Sequence, residues 1–310
     1  MKNVALIFPG QGAQKVGMGL EFFQTSLQAK AIFEQADLIC GNSLLKVIFE
    51  GPEEKLTSTA YCQPALLTTS IAILKAFQAH DKYKNISVKF TAGLSLGEYP
   101  ALFAAGVMNF EDTLRLVQKR AAYMEEAAQQ SQGAMAAVIG FDRDQLVKIC
   151  SQTGAQIANF NSNEQIVITG QKAKVETAIE AIKAAGGQKI IPLAVSGAFH
   201  SSLMSGAASK FAESLIDVTI NPSIIPVLSN VNGQPHEGPT QIRERLAQQI
   251  TDSVQWVKCV EYIASQDITE LIEIGPGKIL KGLIRRINPT LTVTNIEKPQ
   301  DIEVFITHQH

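Results

Sequence analysis

The stretch that decides the fold is FTAGLSLGEYPAL, residues 90–102. An apolar run, VKFTA (88–92), ends at a Gly-x-Ser-x-Gly turn around Ser95, and an amphipathic run begins directly after it. A strand that turns sharply into a helix at this motif is the nucleophile-elbow pattern, in which the serine hydroxyl is exposed at the end of a parallel sheet. The same letters also fit a glycine turn with an incidental serine. The strand-to-helix context favours the nucleophile.

The composition is that of a globular α/β protein. The chain has 310 residues, 45% of them hydrophobic, which suffices for one large domain or for a domain with a smaller inserted unit. Its net charge of −2 argues against a nucleic-acid binder, which normally carries a basic excess. No apolar run reaches the ~18 residues of a membrane span, so we expect no membrane association.

Cysteine usage indicates a reducing compartment. The four cysteines are Cys40, Cys62, Cys150 and Cys259. No pair has C-x-x-C spacing, which argues against a zinc site or a redox dithiol. We therefore expect a reduced, cytoplasmic chain with no bound metal.

Two patterns of predicted secondary structure follow one another along the chain. Apolar spacing predicts strands at 4–8, 88–92, 226–230 and 268–275 and helices at 20–40, 64–80, 110–128, 240–250, 254–265 and 278–286. Between them lies a βαββαβ pattern with strands at 133–140, 155–160, 165–170 and 188–193 and helices at 142–152 and 172–185. We therefore predict an α/β core at 1–126 and 196–310 that carries an inserted ferredoxin-like subdomain at 127–195. Residues 299–310 are polar and unpatterned, and we expect no regular structure there.

A serine nucleophile needs a base. The histidines are His80, His200, His236, His308 and His310. His200 follows a strand and a turn in PLAVSGAFHSSLM, a junction like that at Ser95, whereas the others lie in a solvated helix end, a loop and the polar tail. His200 is the preferred base. An α/β-hydrolase places its histidine late in the chain, so a plain esterase fits this order badly.

Taken together, the motifs resemble one family. They are FPGQGAQ, QPALL, GLSLGEY, the arginine of LVQKRAAYM, GAMAAVIG, NFNS, GAFHS, VQW and EIGPGK, in this order over nearly the whole chain. This set is similar to that of the malonyl-CoA:acyl carrier protein transacylases of dissociated fatty acid synthesis. The resemblance implies an α/β-hydrolase-like core with a parallel sheet and the same small inserted subdomain.

The resemblance also implies the catalytic roles. Ser95 would be the nucleophile, His200 the base, and Gln249 the residue whose backbone carbonyl orients the histidine. The backbone N–H groups of Gln11 and Leu96 would form the oxyanion hole.

Three further positions would bind substrate. Arg120 would hold the malonyl carboxylate, which suits a planar guanidinium that can donate two parallel hydrogen bonds. Gln63 would line or pack the site. Phe199 would crowd a methyl branch and so disfavour methylmalonyl groups. Leu94 departs from the family, since many members have histidine there.

The implied reaction transfers a malonyl group from malonyl-CoA through a malonyl-serine to the phosphopantetheine thiol of acyl carrier protein, without any other cofactor. Acyl carrier proteins are acidic, so a positive patch would receive one. The docking candidates are Lys189, Lys278, Lys281, Arg285 and Arg286. We expect a monomer that docks its carrier protein transiently.

Three alternatives remain open from the residues. A free-standing malonyl acyltransferase of a polyketide synthase would share every motif and differ only in its carrier protein. An acyl-thioester hydrolase is disfavoured by Arg120 and by the absence of a late histidine. A nucleotide- or CoA-binding module is disfavoured because PGQGAQ does not complete G-x-G-x-x-G and GPGK does not complete a P-loop.

Overall fold

The structure is a computed structural model that describes residues 1–195 and 197–307. The strands of these residues are β1 Lys2–Phe8, β2 Ile86–Gly93, β3 Gly133–Ile139, β4 Gln156–Phe160, β5 Gln165–Gln171, β6 Lys189–Pro192, β7 Glu270–Ile274 and β8 Thr292–Ile296. The helices are α1 Leu20–Thr25, α2 Leu27–Ile39, α3 Leu44–Glu50, α4 Glu53–Thr57, α5 Thr59–Ala79, α6 Glu98–Ala104, α7 Phe110–Gln130, α8 Arg143–Thr153, α9 Lys172–Ala184, α10 Ser205–Ser214, α11 Pro239–Gln248, α12 Trp256–Ser265, α13 Ile279–Ile287 and α14 Pro299–Thr307.

The larger core is built on a parallel sheet in the order β2-β1-β7-β8. Residues 4–8 of the central strand β1 are all buried, as expected for a parallel strand covered by helices on both faces. Phe8 pairs with Gly93, so β1 and β2 end side by side at one edge. The loops that leave these two strands therefore meet, and this edge is where α/β sheets bind ligands.

The second sheet is antiparallel, in the order β4-β5-β3-β6. Its strands and its helices α8 and α9 all fall within the predicted insert, in the predicted βαββαβ sequence. The fold prediction, a parallel α/β core with a small second sheet, is confirmed. The domain boundaries themselves stay a prediction, and the one at 195–196 adjoins Ser196, which lies outside the described residues.

The two faces of the small sheet have different partners. Ala136 and Val138 of β3 pack against α8 and α9 in a core of their own. Met135 and Ala137 point the other way and line a cavity that also contains Ser95. The period-two alternation of β3 thus gives one face to the subdomain core and the other to the cavity.

The structure departs from three sequence predictions, at residues 20–40, 299–310 and 226–230. The helix predicted at 20–40 is broken at Ser26, which is extended and accepts a hydrogen bond from the Ala29 N–H to cap α2. The tail predicted to lack structure forms α14, where Pro299 occupies the first turn and Asp301 accepts hydrogen bonds from the Glu297 and Lys298 N–H groups. Residues 308–310, with His308 and His310, lie outside the described residues.

The segment predicted as a strand at 226–230 is not an extended strand in the structure. It meets β2 in a single parallel bridge, Thr91 to Val227.

Across residues 1–195 and 197–307, none of the helices combines the length and apolarity needed to cross a bilayer.

Two glycines let the elbow lie tightly against the sheet. A Cβ on Gly93 would lie 2.0 Å from the carbonyl carbon of Gly97, and a Cβ on Gly97 would lie 2.1 Å from the Phe8 oxygen. Gly97 has a φ of −59°, which any residue can adopt, so close approach alone requires glycine there.

We expect Gly97→Ala to lower the free energy of unfolding by about 2 kcal/mol or more, because the clash is with the backbone of the central strand β1. Gly282→Ala is the matched control. It lies in α13, and an added Cβ has no neighbour within 4 Å, so it should stabilise by about 0.5–1 kcal/mol. Urea unfolding of both variants measures the difference. Equal stability of the two variants would contradict this account of the elbow.

Candidate active site

The backbone at Ser95 is strained and held in place. Its φ is 51°, in the left-handed region that non-glycine residues seldom adopt. Its N–H donates to Asn230 Oδ1 at 2.5 Å, and Asn230 Nδ2 donates to the Gly93 carbonyl at 2.7 Å. A single side-chain amide thus bridges the two sides of the turn. Because the Ser95 N–H is already used, the next N–H, that of Leu96, is the one available to a ligand at the turn.

His200 is placed as the base for Ser95. Its Nε2 lies 2.8 Å from Ser95 Oγ and its Nδ1 lies 2.7 Å from the Gln249 backbone oxygen. A carbonyl oxygen can only accept, so the neutral ring carries its proton on Nδ1 and presents the Nε2 lone pair to the serine hydroxyl. This geometry fits the predicted orienting role of Gln249. His200 also has a positive φ, 56°.

His200 is neutral at physiological pH. Burial, and secondarily the positive charge of Arg120, lower the pKa of His200 to about 4, against the smaller opposing effect of its backbone hydrogen bonds. A neutral imidazole can accept the serine proton, whereas an imidazolium cannot. The site therefore holds the base in its working form without a triad carboxylate.

Arg120 brings a buried guanidinium to the same point. It is 1% exposed, and its Nη2 donates to Ser95 Oγ at 3.2 Å and to Gln249 Oε1 at 3.0 Å. Its Nη1 donates to Gln63 Oε1 at 2.6 Å, and its guanidinium carbon lies 5.5 Å from the centroid of the Tyr99 ring. Within the described residues its Nε has no acceptor. All the acceptors that it meets are neutral, so its charge is available to an anionic ligand beside the serine.

The side chain of Gln249 joins these parts. Its Nε2 donates to the Ser95 carbonyl at 3.1 Å and to Glu98 Oε2 at 2.7 Å. Glu98 is fully buried and also accepts from the Asn230 N–H at 3.0 Å, and its Oε1 lies 2.8 Å from His236 Nε2. Glu98, Asn230 and His236 were not among the sequence-predicted site residues.

One signal could have found Glu98. It is the only charged residue between Lys89 and Glu111, so it lies in a segment that is otherwise ready for burial. A buried carboxylate needs several donors, which makes such an isolated charge a candidate for a network. No comparable signal marks Asn230 or His236, whose contacts are set by the tertiary fold.

The cavity brings most of the predicted residues together. It has a volume of about 430 Å³. The predicted residues on its wall are Gln11, Gln63, Ser95, Leu96, Arg120, Phe199 and His200. Gln249 is buried behind this wall, at 1% exposure. Apolar side chains from the turn after β2, from the small sheet and from α13 complete the wall, among them Leu94, Met135, Val167 and Leu283.

The loop after β1 lies tightly against the elbow. A Cβ on Gly10 would lie 2.3 Å from the Leu94 oxygen, so Gln11 follows a close backbone contact with the turn. This contact brings the second predicted oxyanion donor to the cavity. In the described part of the chain, no group of three or more His, Cys, Asp or Glu side chains is arranged to hold a metal ion.

Comparisons with known proteins show which family the chain resembles over its length. Residues 5–293 match the acyl transferase domain family. A malonyl CoA-acyl carrier protein transacylase of Bacillus subtilis is 42% identical over 99% of this chain and 97% of its own length. The crystal structure of an acyl-carrier-protein-S-malonyltransferase from Bartonella henselae is 38% identical, covers 99% of both chains and superposes with a TM-score of 0.94.

A third relative is a structure of a type II PKS acyl-carrier protein in complex with its malonyl-transacylase. It is 35% identical, covers 100% of both chains and has a TM-score of 0.93. A serine beside a neutral histidine can form and discharge an acyl ester, and the matched domain assigns the chain to the acyltransferases. With relatives this similar over their full length, the chain belongs to the malonyl CoA-acyl carrier protein transacylase family.

The depressed pKa of His200 predicts the pH profile. We expect kcat/KM for acylation by acetyl-CoA to stay flat from neutral pH to about one unit above 4 and then to fall, because kcat/KM reports ionisations of the free enzyme. Arg120→Ala should move the midpoint upward, since it removes the second cause of the depression. A midpoint near the ordinary histidine value of 6.5 in the wild type would contradict the assignment.

The lowered pKa of His200 also makes the stability of the fold depend on pH. Because the unfolded chain takes up the proton first, this group makes the fold lose stability as pH falls from 6.5 toward about 4. Circular dichroism at each pH separates loss of fold from loss of the base.

Proposed function

We propose that the protein transfers a malonyl group from malonyl-CoA to the phosphopantetheine thiol of an acyl carrier protein, through a malonyl ester on Ser95, to supply fatty acid synthesis. The observation that carries the proposal is the buried guanidinium of Arg120, 3.2 Å from the nucleophilic oxygen. A fixed cation at this distance suits an acyl group that ends in a carboxylate close to its thioester carbon.

In the first half-reaction, Ser95 Oγ attacks the thioester carbon of malonyl-CoA while His200 Nε2 takes the hydroxyl proton. The charge that develops on the carbonyl oxygen would be met by the N–H groups of Gln11 and Leu96, each worth about 10² in rate. The thioester C–S bond then breaks, and the proton on Nε2 passes to the leaving CoA sulfur. The products are the malonyl-serine ester and free CoA.

Binding of the malonyl group also changes the basicity of His200. Its carboxylate would lie against Arg120, whose positive charge is the second cause of the low pKa of His200. Partial neutralisation of that charge raises the basicity of His200 when the correct acyl group is present. An acetyl group brings no negative charge and leaves the base weak.

In the second half-reaction, the phosphopantetheine thiol gives its proton to His200 and attacks the ester. The ester C–O bond breaks, Ser95 recovers the proton and the malonyl thioester leaves. One thioester replaces another, so the overall reaction is reversible. Water is the competing nucleophile, and the apolar cavity wall around Ser95, including Met124, Met135 and Phe199, disfavours its access.

The size of the acyl group is limited at Phe199. This residue is 5% exposed and lines the cavity next to His200. Its ring would crowd a methyl branch next to the thioester, which biases the site toward malonyl over methylmalonyl by about 1–3 kcal/mol. Gln63 acts through the hydrogen bond that fixes Arg120.

A basic surface borders the cavity. Ile279 and Leu283 of α13 contribute to the cavity wall, while Lys278, Lys281 and Arg285 are exposed on or beside the same helix. Arg286 is also exposed, and its Nε lies 3.8 Å from Glu164 Oε2. Lys189 is exposed on β6. We assign this surface to docking of an acidic carrier protein, whose charge it complements.

The cofactor requirement, the compartment and the oligomeric state are proposed as the sequence predicts them. The chemistry above needs no metal and no cofactor beyond the two thiol carriers. The free state of all four cysteines fits a reducing cytoplasm, and the protein is proposed to act there as a monomer. A polyketide carrier protein is the second candidate acceptor, since one similar structure contains a type II PKS acyl-carrier protein with its malonyl-transacylase.

Intact-protein mass spectrometry after brief mixing with malonyl-CoA tests the reaction. We expect a malonyl adduct on Ser95 that disappears on addition of holo acyl carrier protein, with a strong preference over acetyl-CoA and a weaker one over methylmalonyl-CoA. Ser95→Ala should form no adduct. Arg120→Ala should retain acetylation and lose the malonyl preference.

Two outcomes would overturn the reaction. If neither an adduct nor free CoA appears, Ser95 is a turn residue. If CoA is released at the same rate without carrier protein and no adduct persists, the protein is a hydrolase. Parallel discharge by fatty acid and polyketide carrier proteins identifies the acceptor.

Charge reversal tests the docking surface. Arg285→Glu with Arg286→Glu should slow discharge to the carrier protein about tenfold and spare loading from malonyl-CoA, because only the second step needs the acidic partner. The matched control is Lys172→Glu with Lys174→Glu on α9, which packs on the face of the small sheet away from the cavity. Equal losses in both half-reactions, or equal effects of the two pairs, would remove α13 from the docking surface.

A further inference from the structure

The buried carboxylate of Glu98 lies behind the cavity wall. Its hydrogen-bond partners among the described residues are Asn230, Gln249 and His236, and they include neither Ser95 nor His200. Both oxygens of Glu98 are engaged. Oε2 accepts from the Asn230 N–H and from Gln249 Nε2, while Oε1 faces His236 Nε2 at 2.8 Å. Glu98 is 0% exposed and the side chains of Glu98 and His236 are both inaccessible to solvent. The ionised, acceptor-only form of the carboxylate matches these donors.

The two amides that Glu98 holds both contact the elbow. Asn230 accepts the Ser95 N–H on its side-chain oxygen and donates to the Gly93 carbonyl. Gln249 donates to the Ser95 carbonyl. The strained backbone of Ser95 is thus fixed at its N–H and at its C=O by residues that share one carboxylate.

The side-chain orientation of Gln249 follows from three neighbours. Arg120 can only donate, whereas an ionised Glu98 and the Ser95 carbonyl can only accept, so the amide turns its oxygen to Arg120 and its nitrogen to the two acceptors. Glu98 is the shorter and the only charged one of these two acceptors, at 2.7 Å against 3.1 Å. Without its carboxylate the amide is held less firmly, and with it the acceptor that anchors Arg120.

His236 completes the arrangement from the other side. Its Nδ1 has no partner among the described residues. A proton there would be a buried donor without an acceptor, so the ring is the tautomer that carries its hydrogen on Nε2 and donates it to Glu98. His236, which sequence reasoning placed in a loop outside the site, therefore fixes the carboxylate that fixes Gln249.

We propose that Glu98, held by His236, is a positioning residue for malonyl selectivity: through Gln249 it sets the direction of the Arg120 guanidinium, and through Asn230 it supports the strained turn at Ser95. The effect should be felt most by an acyl group that uses the guanidinium. This inference rests on the proposed function, because it assigns Arg120 to a substrate carboxylate.

The test measures kcat/KM of the first half-reaction with malonyl-CoA and with acetyl-CoA, each normalised to the fraction of Ser95 that can be acylated. Glu98→Gln should lower the malonyl-to-acetyl ratio about tenfold, mainly through a higher KM for malonyl-CoA, since a neutral amide replaces the charged acceptor that holds Gln249 and leaves the longer contact with the Ser95 carbonyl to position it. The matched control is Glu273→Gln, another buried carboxylate that accepts backbone hydrogen bonds from Leu280 and Lys281. It should leave the ratio unchanged.

A double-variant cycle shows whether Glu98 acts through Arg120. Arg120→Ala is expected to abolish the preference, so Glu98→Gln added to it should not reduce the ratio further. Should Glu98→Gln fold poorly, His236→Ala provides the second variant and should reduce the ratio in the same direction.

The outcomes separate the two proposals. A wild type without malonyl preference overturns the proposed function. A wild type with that preference, combined with an unchanged ratio in folded Glu98→Gln and His236→Ala, overturns the positioning role. A loss of thermal stability with equal rate losses for both substrates assigns Glu98 to structure alone. Multiplicative losses in the double variant would show that Glu98 does not act through Arg120.

Discussion

The burial of one positive charge constrains the whole site. The guanidinium of Arg120 is 1% exposed, and an unpaired charge in such a place would cost several kcal/mol. Among the described residues, no carboxylate forms a hydrogen bond or an ion pair with it. Its hydrogen bonds go to the neutral oxygens of Gln63, Gln249 and Ser95, and the compensating negative charge of Glu98 lies one residue further away. This spacing leaves the cation available to a substrate carboxylate, which a direct salt bridge would have occupied.

The two sheets meet around that charge. The parallel core supplies the elbow and α7, which carries Arg120, while the small antiparallel sheet supplies the opposite cavity wall. The segment with His200 is held between them, because Thr169 of β5 donates to the Phe199 carbonyl at 3.0 Å and Gly133 leaves room for Ala198, whose nitrogen a Cβ would approach to 2.4 Å. The segment with His200 is therefore anchored on the small sheet, whereas Ser95 follows a strand of the parallel sheet, and their 2.8 Å contact depends on how the two sheets pack.

What the sequence predicts well is local. Ser95 directly follows β2, and His200 lies in the loop after β6, where small residues indicate a turn. The βαββαβ pattern predicts the second sheet because the change between strand and helix periodicity is strong. Arg120 looks like a surface charge in the run QKR, although it is three residues after Val117 and four before Met124, both buried on the same face of α7. That spacing places it inside, and the resemblance to known transacylases was needed to assign it a role.

Contacts between segments that are far apart in the sequence cannot be predicted from local patterns. Asn230 and Ser95 are 135 residues apart, and Glu98 and His236 are 138 apart, so no periodicity relates them. The break at Ser26 and the tail helix α14 were missed for a different reason. In both cases one side chain that caps a helix outweighs the composition of the window around it.

Under the proposed function, the same arginine serves binding and catalysis in opposite directions. Its charge helps to keep His200 neutral, together with burial, which lowers the pKa of His200 to about 4. A base of such low pKa is weak, so a site tuned only for the free enzyme would transfer protons slowly. A substrate carboxylate against Arg120 would remove part of that depression, and the base would become stronger when an acyl group with the right charge is bound. Selectivity would then arise in the proton-transfer step as well as in binding, because none of the described carboxylates is paired directly with the guanidinium.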